Sequence, residues 1–212
     1  MKTVYTFLGD FYNEHSKINS VLQSLELDNV RLIDEKIENV IEVLDRKPDG
    51  IIIFKENRLN PKDIDDIYWL TQEIDRKLHD YVDGGGSLIA IHSALTSYPT
   101  DSLYVEMLRG KYIGQSNEVL PVKYSFTNAQ ATGYEDLIDY ETSDIHCFVA
   151  VDDMTNVFLN SFSSYGEYPA GWFHEYGAGK IMCVVPSHTH EGLGHPDTAK
   201  LYVQAIKYCL SL

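Results

Sequence analysis

Short apolar runs alternate with amphipathic stretches along the first half of the chain, and this alternation limits the fold more than any other feature. Runs at 4–8, 51–54 and 88–91 have the length of strands, and the last two are apolar at every position. Strands that are apolar throughout need cover on both faces. The intervening stretches carry apolar side chains at spacings of three and four, which is typical of helices. The pattern predicts an α/β fold in which crossover helices join parallel strands.

The second half of the chain has a different pattern of apolar and polar residues. After Tyr112, period-two and aromatic-rich segments predict an antiparallel extension of the sheet, and these segments are 119–127, 146–151, 157–162 and 170–176. A last strand is expected at 180–185, and Pro196 opens a closing helix that runs to Leu210. At 212 residues, a single domain over 1–212 is expected, because a chain of this size buries one continuous core.

Helices are predicted at four further places, namely 12–27, 38–44, 61–82 and from about Asp101. Pro61 suits the first turn of the third helix, where a proline removes no intrahelical hydrogen bond. Asp83 and the three glycines at 84–86 end that helix.

The chain is strongly acidic, with 17 Lys plus Arg against 32 Asp plus Glu and a formal net charge of −15. Binding to nucleic acid or to an anionic membrane surface requires a basic footprint, so neither partner is expected. No stretch approaches the roughly 18 apolar residues of a membrane span, and Asp10 interrupts the N-terminus before a signal-peptide core develops. We therefore expect a cytoplasmic protein. Cys147, Cys183 and Cys209 form no CxxC pair, which favours reduced, buried thiols.

Histidines follow two of the predicted strands. His92 comes directly after 88–91, and His188 comes shortly after 180–185. In an open parallel sheet, ligands bind at the carboxyl ends of the strands, so both side chains are expected at the ligand-binding edge. His15, after the first strand, belongs to the same edge. Small residues beside His92 permit a sharp strand-to-helix turn that holds its side chain above the sheet; the alternative is a hydrogen-bonded histidine with a structural role only.

Three histidines and one carboxylate are clustered between 187 and 196. Imidazole and carboxylate groups are common zinc ligands, so a divalent metal bound in this loop, or shared with His92, is one interpretation. The spacing matches no known metal signature, and His195 before Pro196 is also explained as the cap of the last helix. The residues alone leave the cofactor unknown.

Other chemistries have less support. The chain contains no GxxxxGKS/T phosphate loop and no GxGxxG fingerprint, and no cysteine stands at a predicted strand-to-helix turn. Ser93 acting with His188 is an alternative nucleophile, although it lies one residue beyond the turn. Among the aromatic residues at 165–176, Trp172 is the best candidate for a wall against a sugar ring, whereas the others suit a sheet core.

Three stretches of the chain resemble the ThuA-like proteins, which are named for trehalose utilisation. They are GGGSLIAIHSA at 84–94, AGWFHEYGAGKIMCV at 170–184 and SHTHEGLGHPDTAKLYVQAIKYC at 187–209. The resemblance implies the flavodoxin-like fold of the class I glutamine amidotransferases, here a doubly wound, mostly parallel sheet with the antiparallel extension. Those amidotransferases present a cysteine where this chain has His92, so glutaminase chemistry is not expected. Two departures from the family pattern are Ser16 after His15, and Gln115 with Ser116 in place of a His-Pro pair.

The resemblance implies a protein of carbohydrate metabolism that acts on a small sugar or keto-sugar derivative. Our leading hypothesis makes His92 and His188 acid/base groups, or ligands of a divalent metal such as zinc, with Glu191 as the supporting carboxylate. The remaining ligand-site residues are predicted to be His15, Trp172 and His195. The alternative is a non-catalytic protein that binds a sugar or another small molecule on an amidotransferase-like scaffold. The expected partner is a small carbohydrate-like ligand, and the aromatic extension offers a surface for a homodimer.

Overall fold

Nine strands form one sheet in the computed structural model of the chain, which describes residues 1–63, 66–127 and 137–212. In chain order they are β1 (Lys2–Leu8), β2 (Val30–Asp34), β3 (Gly50–Phe54), β4 (Ser87–Ile91), β5 (Gly110–Phe126), β6 (Tyr140–Val151), β7 (Asn156–Ser163), β8 (Gly166–Tyr176) and β9 (Gly179–Val184). Their order across the sheet is β2-β1-β3-β4-β9-β8-β7-β5-β6.

The sheet has a parallel half and an antiparallel half that meet at β9. Strands β2, β1, β3, β4 and β9 run parallel to their neighbours, in the strand order of flavodoxin-like sheets. From β9 the order continues through β8, β7 and β5 to β6, and each of these pairings is antiparallel. The predicted parallel arrangement is therefore confirmed for five strands. The sheet as a whole is not mostly parallel, because half of the pairings among the described strands are antiparallel.

The antiparallel half is larger than predicted because its longest strand is irregular. β5 begins at Gly110, well before the predicted segment at 119–127. Its pairing with β6 shifts register twice between Tyr112 and Val119. Such bulges interrupt the alternation of inward and outward side chains, so residues 110–118 lack a clear period-two signal.

Six α-helices accompany the sheet in the described residues: α1 (His15–Gln23), α2 (Val40–Asp45), α3 (Gln72–Asp83), α4 (Leu103–Leu108), α5 (His190–Leu193) and α6 (Pro196–Leu210). α1 packs against α6, whereas α3 packs against α2 and α4. β9 contacts α6 as well as α3 and α4, and residues 181–184 are all buried. Both faces of the parallel half are therefore covered, as the continuously apolar strands predicted. No helix in the described ranges is long and apolar enough to cross a membrane.

The third predicted helix begins at Gln72 rather than at Pro61. Thr71 caps it, since its hydroxyl accepts a backbone N–H of the first turn at 3.3 Å. The described residues before the cap form a loop at the carboxyl end of β3, where the Trp69 indole N–H donates to the backbone carbonyl of Glu56 at 3.1 Å. This long-range bond holds the segment against the sheet edge, so tertiary contacts override the helical pattern.

Candidate functional site

Two histidines at the ends of neighbouring parallel strands are in direct contact. His92 comes directly after β4 in a left-handed backbone conformation, with φ of 49°, and His188 lies in the loop after β9. β4 and β9 pair in parallel, so their carboxyl ends share one edge of the sheet. The His92 Nε2 and His188 Nδ1 atoms are 3.0 Å apart. The structure thus brings together the two histidines that were expected at this edge.

Hydrogen bonding determines which nitrogen of each ring carries a proton. The His92 Nδ1 lies 2.9 Å from the carbonyl oxygen of Val185, and because a carbonyl only accepts, this nitrogen is the donor. In the neutral ring, His92 Nε2 is then an acceptor, and it accepts from the Nδ1–H of His188. The His188 Nε2 keeps its lone pair and has no hydrogen-bond partner among the described residues.

The surroundings of His188 favour its neutral form. Burial of the side chain lowers the pKa of His188 below its usual value, and the neighbouring His92 lowers it further. The carboxylates of Asp144 and Asp10 oppose this shift. A histidine with a lowered pKa is unprotonated at neutral pH, so the His188 Nε2 is available as a base.

The loop that carries His188 is anchored by Asp144, a buried carboxylate of β6. Its Oδ1 accepts the backbone N–H groups of His188 at 2.9 Å and Thr189 at 3.0 Å. Its Oδ2 accepts the hydroxyls of Tyr124 at 2.9 Å and Ser187 at 3.0 Å. The sequence analysis missed this residue, because Asp144 lies two residues before the segment 146–151 that was predicted as a strand.

The two histidines line a cleft of about 890 Å³ at the carboxyl edge of the parallel strands. Its other lining residues follow β1, β3, β4 and β9 or belong to β5 and β6, and they include Tyr12, Asn13, Glu56, Arg58, Tyr68, Ser93, Ser97, Tyr98, Tyr112 and Gln115. A second cleft, of about 730 Å³, lies at the opposite edge beside residues 84–86, and within the described residues no histidine lines it. We therefore place the candidate site in the first cleft.

Trp172 and His195, which were expected to line the ligand site, lie outside this cleft. Trp172 is fully buried, and its indole N–H donates to the Leu108 carbonyl at 2.7 Å. It belongs to the core. His195 is the N-cap of α6, because its Nδ1 accepts the Asp197 N–H at 3.2 Å, and its ring stacks on Tyr140 with centroids 4.9 Å apart.

Glu191 and His15 also lie outside the cleft. Glu191 is exposed on α5, and in the described part of the chain no hydrogen bond joins it to His92 or His188. His15 begins α1, and its Nε2 pairs with Asp34 Oδ2 at 2.9 Å. The carboxylate that supports the His188 loop is therefore Asp144 of a distant strand, and not the sequence neighbour Glu191.

The donor set for a metal ion is incomplete. His92 and His188 supply two ring nitrogens, whereas zinc sites in proteins have three or four protein ligands. Among the described residues, no group of three or more His, Cys, Asp or Glu side chains is arranged to hold an ion. The residues that the structure describes therefore do not fit a resident metal.

The cleft also holds Ser93, but nothing activates its hydroxyl. Ser93 is buried, and its Oγ has no hydrogen-bond partner in the residues that the structure describes. A serine nucleophile needs a base within hydrogen-bonding reach. Burial also raises the pKa of the Cys147 and Cys183 thiols, which disfavours the reactive thiolate.

A carboxylate and a guanidinium that the sequence analysis overlooked lie in the same cleft. Glu56 is 1% exposed, and its Oε2 accepts from Arg58 Nη2 and from Ser97 Oγ, each at 3.2 Å. Burial raises the pKa of the Glu56 carboxyl, and the bonds from Arg58 and Ser97 oppose that shift. Glu56 follows the end of β3 by two residues, so the strand-end rule that selected His92 also selects Glu56.

Comparison with known proteins gives a family match and several structural neighbours. The model of a family described as ThuA, trehalose utilisation, matches residues 34–209. Curated proteins gave no sequence match. A ThuA-like protein of Bacteroides uniformis is 14% identical with a TM-score of 0.70, and the likeness covers 98% of this chain and 89% of that one. A ThuA-like protein of Parabacteroides merdae is 10% identical with a TM-score of 0.75, covering 100% and 90%.

A third neighbour has a much longer chain. The GH42 β-galactosidase of G. stearothermophilus is 13% identical with a TM-score of 0.64, and the likeness covers 100% of this chain but 30% of that one. At these identities the structural likeness shows the fold alone.

Proposed function

The chain belongs to the ThuA family of trehalose utilisation, and on that basis we propose that it acts on a small sugar or keto-sugar derivative in the cleft. Family membership supports a role related to carbohydrate utilisation. Within that role, His188 is the general base and His92 holds it in the required tautomer. Glutamine hydrolysis is not proposed, because the imidazole of His92 stands where a thioester-forming cysteine would be needed.

The observation that carries this proposal is the chain of hydrogen bonds from Val185 through His92 to His188. When His188 Nε2 takes a proton from the substrate, its ring becomes positive and its Nδ1–H bond to His92 strengthens. His92 in turn donates to the Val185 carbonyl. Hydrogen-bond acceptors that are already in position therefore stabilise the positive charge that forms on His188. The same geometry allows His188 to return the proton.

A keto-sugar offers the matching chemistry, because a hydrogen on the carbon next to a carbonyl is acidic enough for a histidine base. His188 Nε2 takes that proton, the electron pair of the C–H bond forms a carbon–carbon double bond, and the π electrons of the carbonyl move to its oxygen to give an enediolate. Return of the proton to the same carbon yields the starting sugar or its epimer; return to the adjacent carbon, after a proton has moved from the neighbouring hydroxyl to the enediolate oxygen, yields an isomer. No oxidant or further reactant is needed.

Exchange of substrate hydrogen with solvent tests this proposal. Proton NMR in deuterium oxide is recorded with D-fructose and with a trehalose derivative that carries one ring ketone. The wild-type protein should replace the hydrogen beside a carbonyl by deuterium. His188→Gln should slow this exchange about 100-fold or more, the usual range for loss of a general base. His79→Gln, which alters a histidine of α3 outside the cleft, is the matched control and should keep the full rate; an unchanged rate in His188→Gln would overturn the proposal.

A non-catalytic sugar-binding protein is the second candidate, and one comparison favours it. The same fold occurs as a segment of a β-galactosidase chain, so this scaffold also exists as part of a larger protein, and a fold does not determine a function. A binding protein would be stabilised by sugar in a thermal-shift assay and would show no deuterium exchange in its wild-type form.

Metal content separates acid/base chemistry from metal-assisted chemistry. We expect elemental analysis of the purified protein to find no stoichiometric ion. A near-stoichiometric divalent ion that disappears in both His92→Ala and His188→Ala would instead indicate a metal-activated water. A cytoplasmic location and a homodimer formed through the antiparallel half stay predictions.

A further inference from the structure

Buried polar atoms without hydrogen-bond partners are concentrated in the cleft. Five such side-chain atoms occur among the described residues. Three of the five belong to residues that line the cleft, namely Glu56 Oε1, Arg58 Nε and Ser93 Oγ. An unpaired buried polar group costs free energy, and nearly all such groups in folded proteins are paired. Their concentration in one cleft marks a set of polar positions whose hydrogen bonding a polar ligand can complete.

The hydrogen-bonding character of the three atoms matches hydroxyl groups. The Arg58 Nε–H only donates, a carboxylate oxygen of Glu56 accepts, and the Ser93 hydroxyl does both. A sugar hydroxyl also donates and accepts, so two adjacent hydroxyls can satisfy a donor and an acceptor at the same time. A ligand with adjacent hydroxyls therefore carries the kinds of donor and acceptor that these three atoms lack.

The charge around these atoms favours an uncharged ligand. The Arg58 guanidinium is already paired with Glu56, with Nη2 and Oε2 3.2 Å apart. Asp66 also lines the cleft, and Asp10 Oδ2 accepts the backbone N–H of Glu56 at 3.2 Å. These two carboxylates would repel an anionic ligand, whereas they would not repel a neutral polyol.

Two exposed tyrosines line the same part of the cleft. Tyr12 is 56% exposed and Tyr68 is 44% exposed. An aromatic face packs well against the apolar C–H face of a sugar ring. The tyrosines thus provide the aromatic wall that the sequence analysis assigned to Trp172.

We propose that Glu56, Arg58 and Ser93 form a subsite that binds adjacent hydroxyl groups of a neutral sugar ring, with Tyr68 packed on the apolar face of that ring. The choice of a sugar as ligand rests on the proposed function. Because Glu56 is 1% exposed and the Arg58 side chain is 27% exposed, Arg58 rotates toward the opening when the sugar reaches Glu56 Oε1.

Removal of the Ser93 hydroxyl gives the most specific test, because the affinity for the sugar should fall while the stability of the protein does not. Ser93→Ala removes an unpaired buried hydroxyl, so the urea midpoint of unfolding should stay the same or rise. It also removes a ligand contact, so the affinity for trehalose measured by calorimetry should fall about tenfold. Thr142→Val is the matched control: Thr142 Oγ1 is also buried and unpaired but lies outside the cleft, so its loss should leave the affinity unchanged.

Glu56→Gln provides a second variant of similar shape. The amide removes the carboxylate that pairs with Arg58, so the affinity for trehalose and glucose should fall about tenfold or more. Gluconate, which adds a negative charge, should bind the wild-type protein more weakly than glucose. Wild-type affinity for trehalose in both Ser93→Ala and Glu56→Gln would overturn the subsite. Failure of the wild-type protein to bind either trehalose or glucose would also overturn it.

His188→Gln separates this inference from the proposed function. The variant should lose deuterium exchange, whereas the subsite is judged only by the trehalose affinities of Ser93→Ala and Glu56→Gln. Unchanged affinity in Ser93→Ala and Glu56→Gln, together with lost exchange in His188→Gln, would overturn the subsite alone. Weakened affinity in the two subsite variants with unchanged exchange in His188→Gln would support the subsite and overturn only the general-base assignment.

Discussion

At the scale of single residues, the candidate site depends on a carboxylate that bonds to neither histidine ring. Asp144 bonds to the backbone of His188 and Thr189, and not to the histidine ring. It is therefore a positioning residue, whose removal should move the loop and, because a nearby negative charge is lost, lower the pKa of His188 further. The ring tautomer is set separately by His92 and Val185.

Asp144→Ala should destabilise the protein and displace His188. Several donors would lose their acceptor, and bonds to charged groups contribute about 1.5–3 kcal/mol each, so we expect the free energy of unfolding in urea to fall by about 3 kcal/mol. Asp144→Asn keeps one acceptor oxygen and should recover most of the stability and of the deuterium exchange. Asp139→Ala is the control, because within the described residues this exposed carboxylate pairs with Lys123, Ser125 and Phe126 at the end of β5 and not with the His188 loop. Equal losses in the two alanine variants would contradict the anchoring role.

His174 should make stability depend on pH. Its Nε2 donates to the Met107 carbonyl at 2.8 Å, and burial lowers its pKa from 6.5 to about 4. The unfolded chain therefore binds a proton more readily than the folded protein, so stability falls as the pH drops from about 6.5 to about 4. The contribution is about 3 kcal/mol across that window. In His174→Gln this part of the decline should disappear from urea unfolding curves recorded between pH 4 and pH 7; parallel pH profiles for the two proteins would refute it.

Sequence reasoning located the two histidines of the candidate site but not the residues that hold them in place. The strand-end rule needs only an apolar run and the residue after it, so it located His92 and His188. Glu191 was expected to help because it is close in sequence, yet the turn of α5 leaves it exposed. Asp144 comes from a distant strand, and only the tertiary fold shows which strand faces the loop. The period-two pattern around Trp172 is the same whether the indole ring contacts a ligand or lies in the core, so this pattern could not distinguish the two.

At the scale of secondary-structure elements, the start of β5 packs against the core only because its first residue, Gly110, has no side chain. A Cβ atom added at Gly110 would overlap the indole ring of Trp172, which packs across it. The same indole donates to Leu108, just before the strand. Gly110 and Trp172 together therefore fix the position at which the chain passes from α4 into β5.

Gly110→Ala should be costly for this reason. Overpacking of a core typically costs about 1–3 kcal/mol, so we expect the unfolding free energy measured by circular dichroism in urea to fall by about 2 kcal/mol or more. Gly114→Ala is the control within the same strand, because its added Cβ would meet Phe148 Cδ2 at 3.4 Å, close to an ordinary contact. Equal stability of the two variants would show that the Trp172 ring moves aside freely.

The strands of the parallel half were predictable and the loops over them were not. β3 and β4 are apolar throughout, and all their residues are buried. Residues 61–71 carry a helical pattern, but long-range bonds such as that from Trp69 to Glu56 hold the described part of this segment at the sheet edge. The cleft wall therefore comes from a segment whose local signal pointed to a different structure.

At the scale of the whole molecule, the candidate site is built across both halves of the sheet. His92 and His188 follow strands of the parallel half, whereas Asp144 lies on β6 at the far end of the antiparallel half. Neither half alone contains both the histidine pair and the carboxylate that anchors its loop. The proposed activity therefore requires the two halves to be folded together.

The three cysteines can show whether the two halves unfold as one unit. Cys147 lies in β6 of the antiparallel half, Cys183 in β9 where the halves meet, and Cys209 in α6 over the parallel half. All three are buried, and burial raises the pKa of each thiol, so the native protein should react slowly with N-ethylmaleimide.

Labelling of single-cysteine variants, with the other two thiols replaced by alanine, measures the free energy of opening at each position. If the sheet unfolds as a single domain over 1–212, the three opening free energies should agree with one another and with the free energy of unfolding in urea. A markedly lower value at Cys147 than at Cys183 would mean that the antiparallel half opens on its own. Asp144 would then leave His188 while the parallel half stayed folded, and deuterium exchange should be lost at urea concentrations below those that expose Cys183.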